Sequence, residues 1–324
     1  MAVLSRLRAL GRWVSDTTAE RYAQVTLVAL WLLAFIVVTG AAVRLTDSGL
    51  GCTDWPQCDR HRIVASLGDT HGMIEQVNRY ITGLVCVAVV LAVLGSFRQA
   101  PRRRDLTWLS LGLVAGVVGQ IVLGGIVVLL KLNPVLVQGH FILSMVLVAD
   151  AVVLHHRAGR PAGASRPLVT SRVMNLGRAI VALAAVVIVT GTAVTGSGPH
   201  AGNVDAKRLP FTVHATARVH GAMLFGFLAA VVALAVLAHR ERASAGVMAS
   251  IRTLLFVLVL QAAVGYTQYF TGIPALLVGI HVLGATLVWV FTLRLLLGLS
   301  TPADGLRDSP HDDDGAGRDL VAQR

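Results

Sequence analysis

Apolar runs long enough to cross a bilayer recur along the whole chain, separated by short polar segments. A span of the hydrocarbon core takes roughly 20 apolar residues in a helix. The pattern predicts eight such helices, over roughly 24–43, 75–96, 107–130, 134–154, 177–195, 214–238, 251–270 and 274–298. The first run is too long for a signal-peptide core and lacks a small-residue cleavage site after it, so it is expected to stay as a helix. The basic residues decide orientation. Arg6, Arg8, Arg12 and Arg21 precede span one, Arg98 and Arg102 to Arg104 follow span two, Arg157, Arg160, Arg166 and Arg172 follow span four, and Arg240, Arg242 and Arg252 lie between spans six and seven. The alternate loops are poorer in Lys and Arg and hold Asp47, Asp54, Asp59 and Asp69. By the positive-inside rule both termini are expected in the cytoplasm of a multi-pass cell-membrane protein.

Two segments break the apolar pattern in other ways. The stretch from Thr301 to Arg324 is rich in Asp, Gly and Pro and is expected to be a disordered cytoplasmic tail. AGRPAGASRPLVT, at 158–170, is expected to be a flexible linker between two halves. The organisation expected is a cytoplasmic segment over 1–23, a bundle over 24–156, a linker over 157–174, a second bundle over 175–299, and the tail over 300–324.

The halves resemble each other. QIVLGGIVVLLKLNPVLVQGH at 120–140 aligns with QAAVGYTQYFTGIPALLVGIH at 261–281, so that Gln120 meets Gln261, Gly124 meets Gly265 and His140 meets His281. Asn78 meets His220 at an offset of 142, and VVTGAAV at 37–43 returns as IVTGTAV at 188–194. An even number of spans per half leaves both halves in one orientation, which is a parallel repeat about an axis along the membrane normal. The fold class expected is an all-α membrane protein of two pseudo-symmetric four-helix bundles.

Composition sharpens this picture. Of the 324 residues 55% are hydrophobic and 14% charged, with mean hydropathy +0.71, against about 25% charged in soluble domains. The net charge of +11 sits in short clusters between apolar runs and not on one face. That distribution suits topology and anionic lipid and excludes nucleic acid as a partner.

Candidate chemistry begins with the histidines. Of eleven, His155, His156, His239 and His311 are placed in cytoplasmic loops or the tail and His61 and His200 in outer loops. His71 and His214 are placed at the outer mouths of spans two and six. His140, His220 and His281 fall inside spans, where an ionisable group is costly and points to function. His220 and His281 lie at similar depth on helices running the same way, so two imidazoles facing each other across a bundle are candidate axial ligands of a haem iron. An interhelical hydrogen bond is the plain alternative for each. A zinc site lacks further ligands beside them.

The N-terminal half differs, because Asn78 stands where span six has His220, leaving His140 as its one strong ligand. Glu75 and Arg79 share a helix face and form either an ion pair at the mouth of the span or a catalytic group beside a haem with an open iron position. Cys52 and Cys58 lie in the first outer loop, as a structural staple or a redox pair. Cys86 reads as a buried small hydrophobe, Trp55 as an interfacial anchor, and Arg44 as a partner for a haem propionate or a surface carboxylate.

GLGCTDWPQC, IEQVNR, RVHG and the Gln-x3-Gly helices before His140 and His281 resemble the haem A synthase family, of the type with a cysteine pair in its first outer loop, over about 24–298. The resemblance implies eight helices in two pseudo-symmetric bundles and oxidation of the C8 methyl of haem O to a formyl group. It implies a haem b cofactor on His220 and His281, with haem O as substrate on His140 and Glu75 as the catalytic carboxylate. Asn78 and Arg79 would then belong to the substrate-haem pocket. Haem O synthase and terminal-oxidase assembly factors become candidate partners, and the electron donor stays open. The family motif is commonly Glu-x-x-His-Arg, from which Asn78 departs. Two other readings stand beside this one, a membrane b-type cytochrome that passes electrons, to or from quinone for instance, and a parallel-repeat transporter.

Overall fold

The computed structural model describes residues 19–302. The expectations for residues 1–18 and 303–324, including the tail and His311, lie outside the described residues. Eight helices form: α1 (Ala19–Leu45), α2 (Thr70–Phe97), α3 (Arg104–Leu129), α4 (Pro134–Ala158), α5 (Ser171–Ser197), α6 (Val213–Arg240), α7 (Ala245–Phe270) and α8 (Ala275–Gly298). All eight are long and apolar enough to cross a membrane. This is an all-α, multi-pass membrane protein.

Seven of the eight helices are longer than the apolar stretch that announced them, and α8 matches its stretch to within one residue. Hydropathy marks the hydrocarbon core, whereas the helix persists through the headgroup layer until a cap satisfies its free amides. Asp69 caps α2 by accepting from Gly72, Asn133 caps α4 with Pro134 at the first helical position, and Thr170, Thr212 and Ser244 cap α5, α6 and α7. His155 and His156 therefore sit in the last turn of α4, and His239 in that of α6, not in loops. His155 Nδ1 lies 3.2 Å from both Thr26 Oγ1 and the Ala23 carbonyl, tying α4 to α1.

The helices pack as two rings of four, α1–α2–α3–α4 and α5–α6–α7–α8, which meet where α8 lies against α1 and α4 and where α4 lies against α5. One seam shows how close approach is achieved. Down α3, Gly112, Gly116, Gly119 and Gly124 receive Asp150, Leu147, Leu143 and His140 of α4. Small residues let helix backbones approach in lipid, where no hydrophobic force drives helix to helix. Between the rings, buried Trp289 of α8 donates its indole N–H to the Met145 carbonyl of α4 at 2.9 Å.

At the linker end of the bundle, Ser165–Pro167 (β1) pairs antiparallel with Ser300–Pro302 (β2). The middle of the segment expected to be a flexible linker is thus a strand, and residues 300–302, placed with the tail, are its partner. Arg160 adds a bond to the Ser300 carbonyl at 3.1 Å. Short polar segments gain backbone partners this way without any apolar signal in the sequence.

Candidate functional site

The four polar positions singled out inside the spans, Asn78, His140, His220 and His281, lie near one end of the molecule, the end carrying the loop between α1 and α2. Helices α2, α4, α6 and α8 all begin there. Asn78, His140, His220 and His281 lie within the first two or three turns of these helices, about 9–12 Å along each at 1.5 Å per residue.

In the C-terminal ring, α6 and α8 stand on opposite corners. The rings of His220 and His281 face each other with centroids 6.5 Å apart and planes at 71°. His220 Nδ1 lies 3.1 Å from the Val187 carbonyl and 3.2 Å from Thr190 Oγ1. Donation to that carbonyl fixes the tautomer and leaves Nε2 as a lone-pair donor. His281 Nδ1 is buried with no hydrogen-bond partner. Each ring lies against a glycine of the neighbouring helix. A Cβ on Gly191 would come 3.1 Å from His220 Cε1, and one on Gly265 would come 2.8 Å from His281 Cε1.

The N-terminal ring repeats part of this. A Cβ on Gly124 would lie 3.2 Å from His140 Cε1, and His140 Nδ1 is buried without a partner. Gln120 Nε2 donates to the His140 carbonyl at 3.0 Å, as Gln261 Nε2 donates to the His281 carbonyl at 2.8 Å. Asn78 differs, holding a hydrogen bond from Thr39 Oγ1 at 2.8 Å. Asn78 and Thr39 help line a cavity of about 480 Å³ between α1 and α2, with Met73, Ile74, Val77 and Ile81 among its walls. That volume falls among those of small-molecule sites, about 300–1,000 Å³.

The loop before α2 is held down on this site. Cys52 and Cys58 form a disulfide. The Cys52 amide donates to Glu75 Oε2 at 2.9 Å, and Arg79 donates to Glu75 Oε1 at 2.7 Å. The same guanidinium reaches the carbonyls of Pro56, Gln57 and Asp54. Glu75 is only 7% exposed, so its charge is matched by an amide and a cation and not by water. The ion pair expected of Glu75 and Arg79 is present, and Arg79 turns into the disulfide loop, whereas Asn78 lines the cavity. Trp55, expected as an interfacial anchor, lays its indole on α3, where a Cβ on Gly125 would meet it at 2.5 Å. The backbone of Gly51 runs so close to α2 that a Cβ there would sit 2.4 Å from the His71 carbonyl. Arg44, at the end of α1, makes no ion pair among the described residues; its side chain packs on Gly202.

The spacing of the histidines signalled the rings; it did not signal Thr190 beside His220 or the glycine seats behind the three imidazoles. Asp150 also escaped notice. It is an acidic residue inside an apolar span, its carboxylate packed on Gly112, and that incongruity was its signal.

Comparison with known proteins places this architecture. The chain is 27% identical to the haem A synthase of Lysinibacillus sphaericus over 123 residues, 38% of this chain and 40% of that protein. It is 27% identical to the haem A synthase of Shewanella oneidensis over 187 residues, 52% of this chain and 54% of that protein. The haem A synthase of Exiguobacterium sp. is 24% identical over 123 residues, 38% of this chain and 40% of that protein. The chain thus aligns with about two fifths to one half of the length of these curated relatives. Residues 23–293, which take in the disulfide loop and all four polar positions, match the family described as cytochrome oxidase assembly protein, and the chain belongs to that family, COX15-CtaA.

Proposed function

We propose that this protein is a haem A synthase, an oxidoreductase that converts the C8 methyl of haem O to a formyl group. The observation that carries the reading is the facing pair His220 and His281. Two imidazoles ligating one metal at about 2 Å put their ring centres about 6 Å apart. The observed 6.5 Å fits that arrangement, and the Val187 carbonyl leaves His220 in the ligating tautomer. The partnerless, buried Nδ1 of His281 belongs to a ring whose other atoms are held by helix packing and not by a hydrogen bond. In this reading His220 and His281 hold a haem b cofactor in the C-terminal bundle.

The N-terminal bundle takes the substrate, haem O, with its iron on His140. Asn78 answers to His220 by position and lines the cavity between α1 and α2. Bound haem supplies the oxygen and electron chemistry. The residues of this chain supply position and protons. Glu75, fixed by the Cys52 amide and by Arg79, holds a buried carboxylate on α2, one turn before Asn78. Each hydroxylation of the methyl consumes one dioxygen, two electrons and two protons. A second hydroxylation leaves a geminal diol that loses water to give the aldehyde. Glu75 is the group placed to pass those protons, and the disulfide loop with Trp55 excludes water from above.

Two four-helix units related by an internal duplication account for the equal placement of His140 and His281 on Gly124 and Gly265. The positive-inside rule puts both termini in the cytoplasm and the disulfide end outside, where a disulfide persists. The eight helices run unbroken, which takes support from the transporter alternative, since that fold places its site at interrupted helices.

The deciding experiment is extraction and mass analysis of the pigments in the purified protein, joined to haem analysis of a strain lacking it. Haem b together with haem O or haem A is expected in the protein, and accumulation of haem O with loss of haem A in the strain. Haem A unchanged in that strain overturns the reading in favour of an electron-passing cytochrome.

A further inference from the structure

The two rings are alike in three positions and unlike in one. On α5, Thr190 and Gly191 form the seat of His220: the hydroxyl lies 3.2 Å from Nδ1, and the ring covers the glycine. On α1, Thr39 and Gly40 stand at the same place in VVTGAAV that Thr190 and Gly191 hold in IVTGTAV. Thr39 makes the corresponding bond, to the residue of α2 that answers to His220, and that residue is Asn78. The glycine is where the rings part. A Cβ on Gly40 would meet nothing within 4 Å, whereas one on Gly191 would meet the imidazole at 3.1 Å. The seat for a ring is built and the ring is not there.

An asparagine does not take the ring's part toward iron. Its amide nitrogen has no available lone pair and its side chain is shorter. Thr39 Oγ1 donates to Oδ1, so the Nδ2 group remains, with two N–H donors and no protein partner among the described residues. Asn78 lines the cavity between α1 and α2, whose other walls are almost wholly apolar.

We propose that Asn78 makes the N-terminal site a haem pocket with a single protein ligand, His140, whose opposite axial place is open to a small exchangeable ligand that accepts a hydrogen bond from the Asn78 amide. The proposal rests on the reading that haem O occupies this bundle. The ligand class is a diatomic or a water-sized molecule with a lone pair, because the amide presents donors only and the space over Gly40 is open, a Cβ there meeting nothing within 4 Å. Thr39 is a positioning residue that turns the donors toward that place.

The test uses the purified full-length protein with its haems, reduced and exposed to carbon monoxide. Carbon monoxide is expected to bind one of the two haems, giving a difference spectrum with half-stoichiometry, while the His220 and His281 haem stays six-coordinate. Asn78→His is expected to fill the seat, turn that haem low-spin and lower its carbon monoxide affinity at least tenfold. Asn78→Leu is expected to keep carbon monoxide binding and move the C–O stretch to higher wavenumber, since the donor is gone. A wild-type protein with two haems, both low-spin and inert to carbon monoxide, overturns the open position while leaving the synthase reading standing. An unshifted C–O stretch in Asn78→Leu overturns the role of the amide. A purified protein without haem in the N-terminal bundle overturns both the proposal and the reading beneath it.

Discussion

The imidazoles of His220 and His281 face each other across the C-terminal ring with centroids 6.5 Å apart, carried by α6 and α8 from opposite corners. Neither helix needs the other for packing, so the approach of the two rings is set by the helices beside them. We expect His220→Ala and His281→Ala each to abolish the b-type absorption of the purified protein, and His140→Ala to preserve it. Absorption spectra of the three variants check this; loss in His140→Ala alone would reverse the assignment of the two halves.

Glu75 is caught between the Cys52 amide and Arg79. Glu75→Gln keeps an acceptor for the Cys52 amide and gives up the charge. We expect this variant to retain its haem complement and to lose at least a hundredfold in haem A formation, within the range general acid–base catalysis contributes, about 10²–10⁴-fold. Measurement of haem A yield in membranes decides, and a normal yield removes Glu75 from the chemistry.

The disulfide loop depends on two kinds of tie, the Cys52–Cys58 bond and the Arg79 bonds to three carbonyls. Removing the covalent tie with Cys52→Ser should cost about 2–3 kcal/mol, since the loop it closes is short. Limited proteolysis should then cut within residues 53–62 before any helix is lost. Equal protease resistance in the two proteins would show that the non-covalent ties of Arg79 and Glu75 hold the loop without the disulfide.

Gly265 is a seat and Gly221 is not. A Cβ at Gly265 would fall 2.8 Å from His281 Cε1, and one at Gly221 would meet nothing within 4 Å. Gly265→Val should therefore displace the imidazole, at a cost of about 1–3 kcal/mol for overpacking, and raise the rate of haem loss. Gly221→Ala should leave haem retention as it is. Transfer of haem to an acceptor protein, followed by absorbance, compares the two.

Trp289 locks the rings together through its bond to the Met145 carbonyl. Trp289→Phe keeps most of the packing and removes that bond, which should cost about 0.5–1.5 kcal/mol, since the Met145 carbonyl lies within α4 and keeps its helical partner. The loss should appear as a lower melting temperature in detergent with the absorption spectrum unchanged. A shifted spectrum would mean that the lock also sets the distance between the halves of the site.

Much of this molecule is legible without coordinates because the bilayer imposes one rule on every span. Backbone groups in hydrocarbon must pair within the segment, so apolar length alone names the helices α1 to α8. The same rule makes His140, His220 and His281 conspicuous, since an imidazole in a span has to be accounted for. Helix ends were less legible, and His155 and His156 fell on the wrong side of one, because hydropathy stops at the hydrocarbon edge while hydrogen bonding continues to the cap.

What the sequence determined by itself is therefore one-dimensional: eight spans, and the depth of each polar residue along its helix, Asn78 of α2 and His220 of α6 among them. What only the tertiary structure decided is which of those residues meet. Thr39 reaching Asn78, the Cys52 amide reaching Glu75, Trp55 lying on Gly125 and Ser165–Pro167 pairing with Ser300–Pro302 all join different elements. The physical reason is that local periodicity fixes a side chain's height and its direction about its own helix axis, whereas the rotation and crossing of neighbouring helices arise from close packing summed over every contact at once.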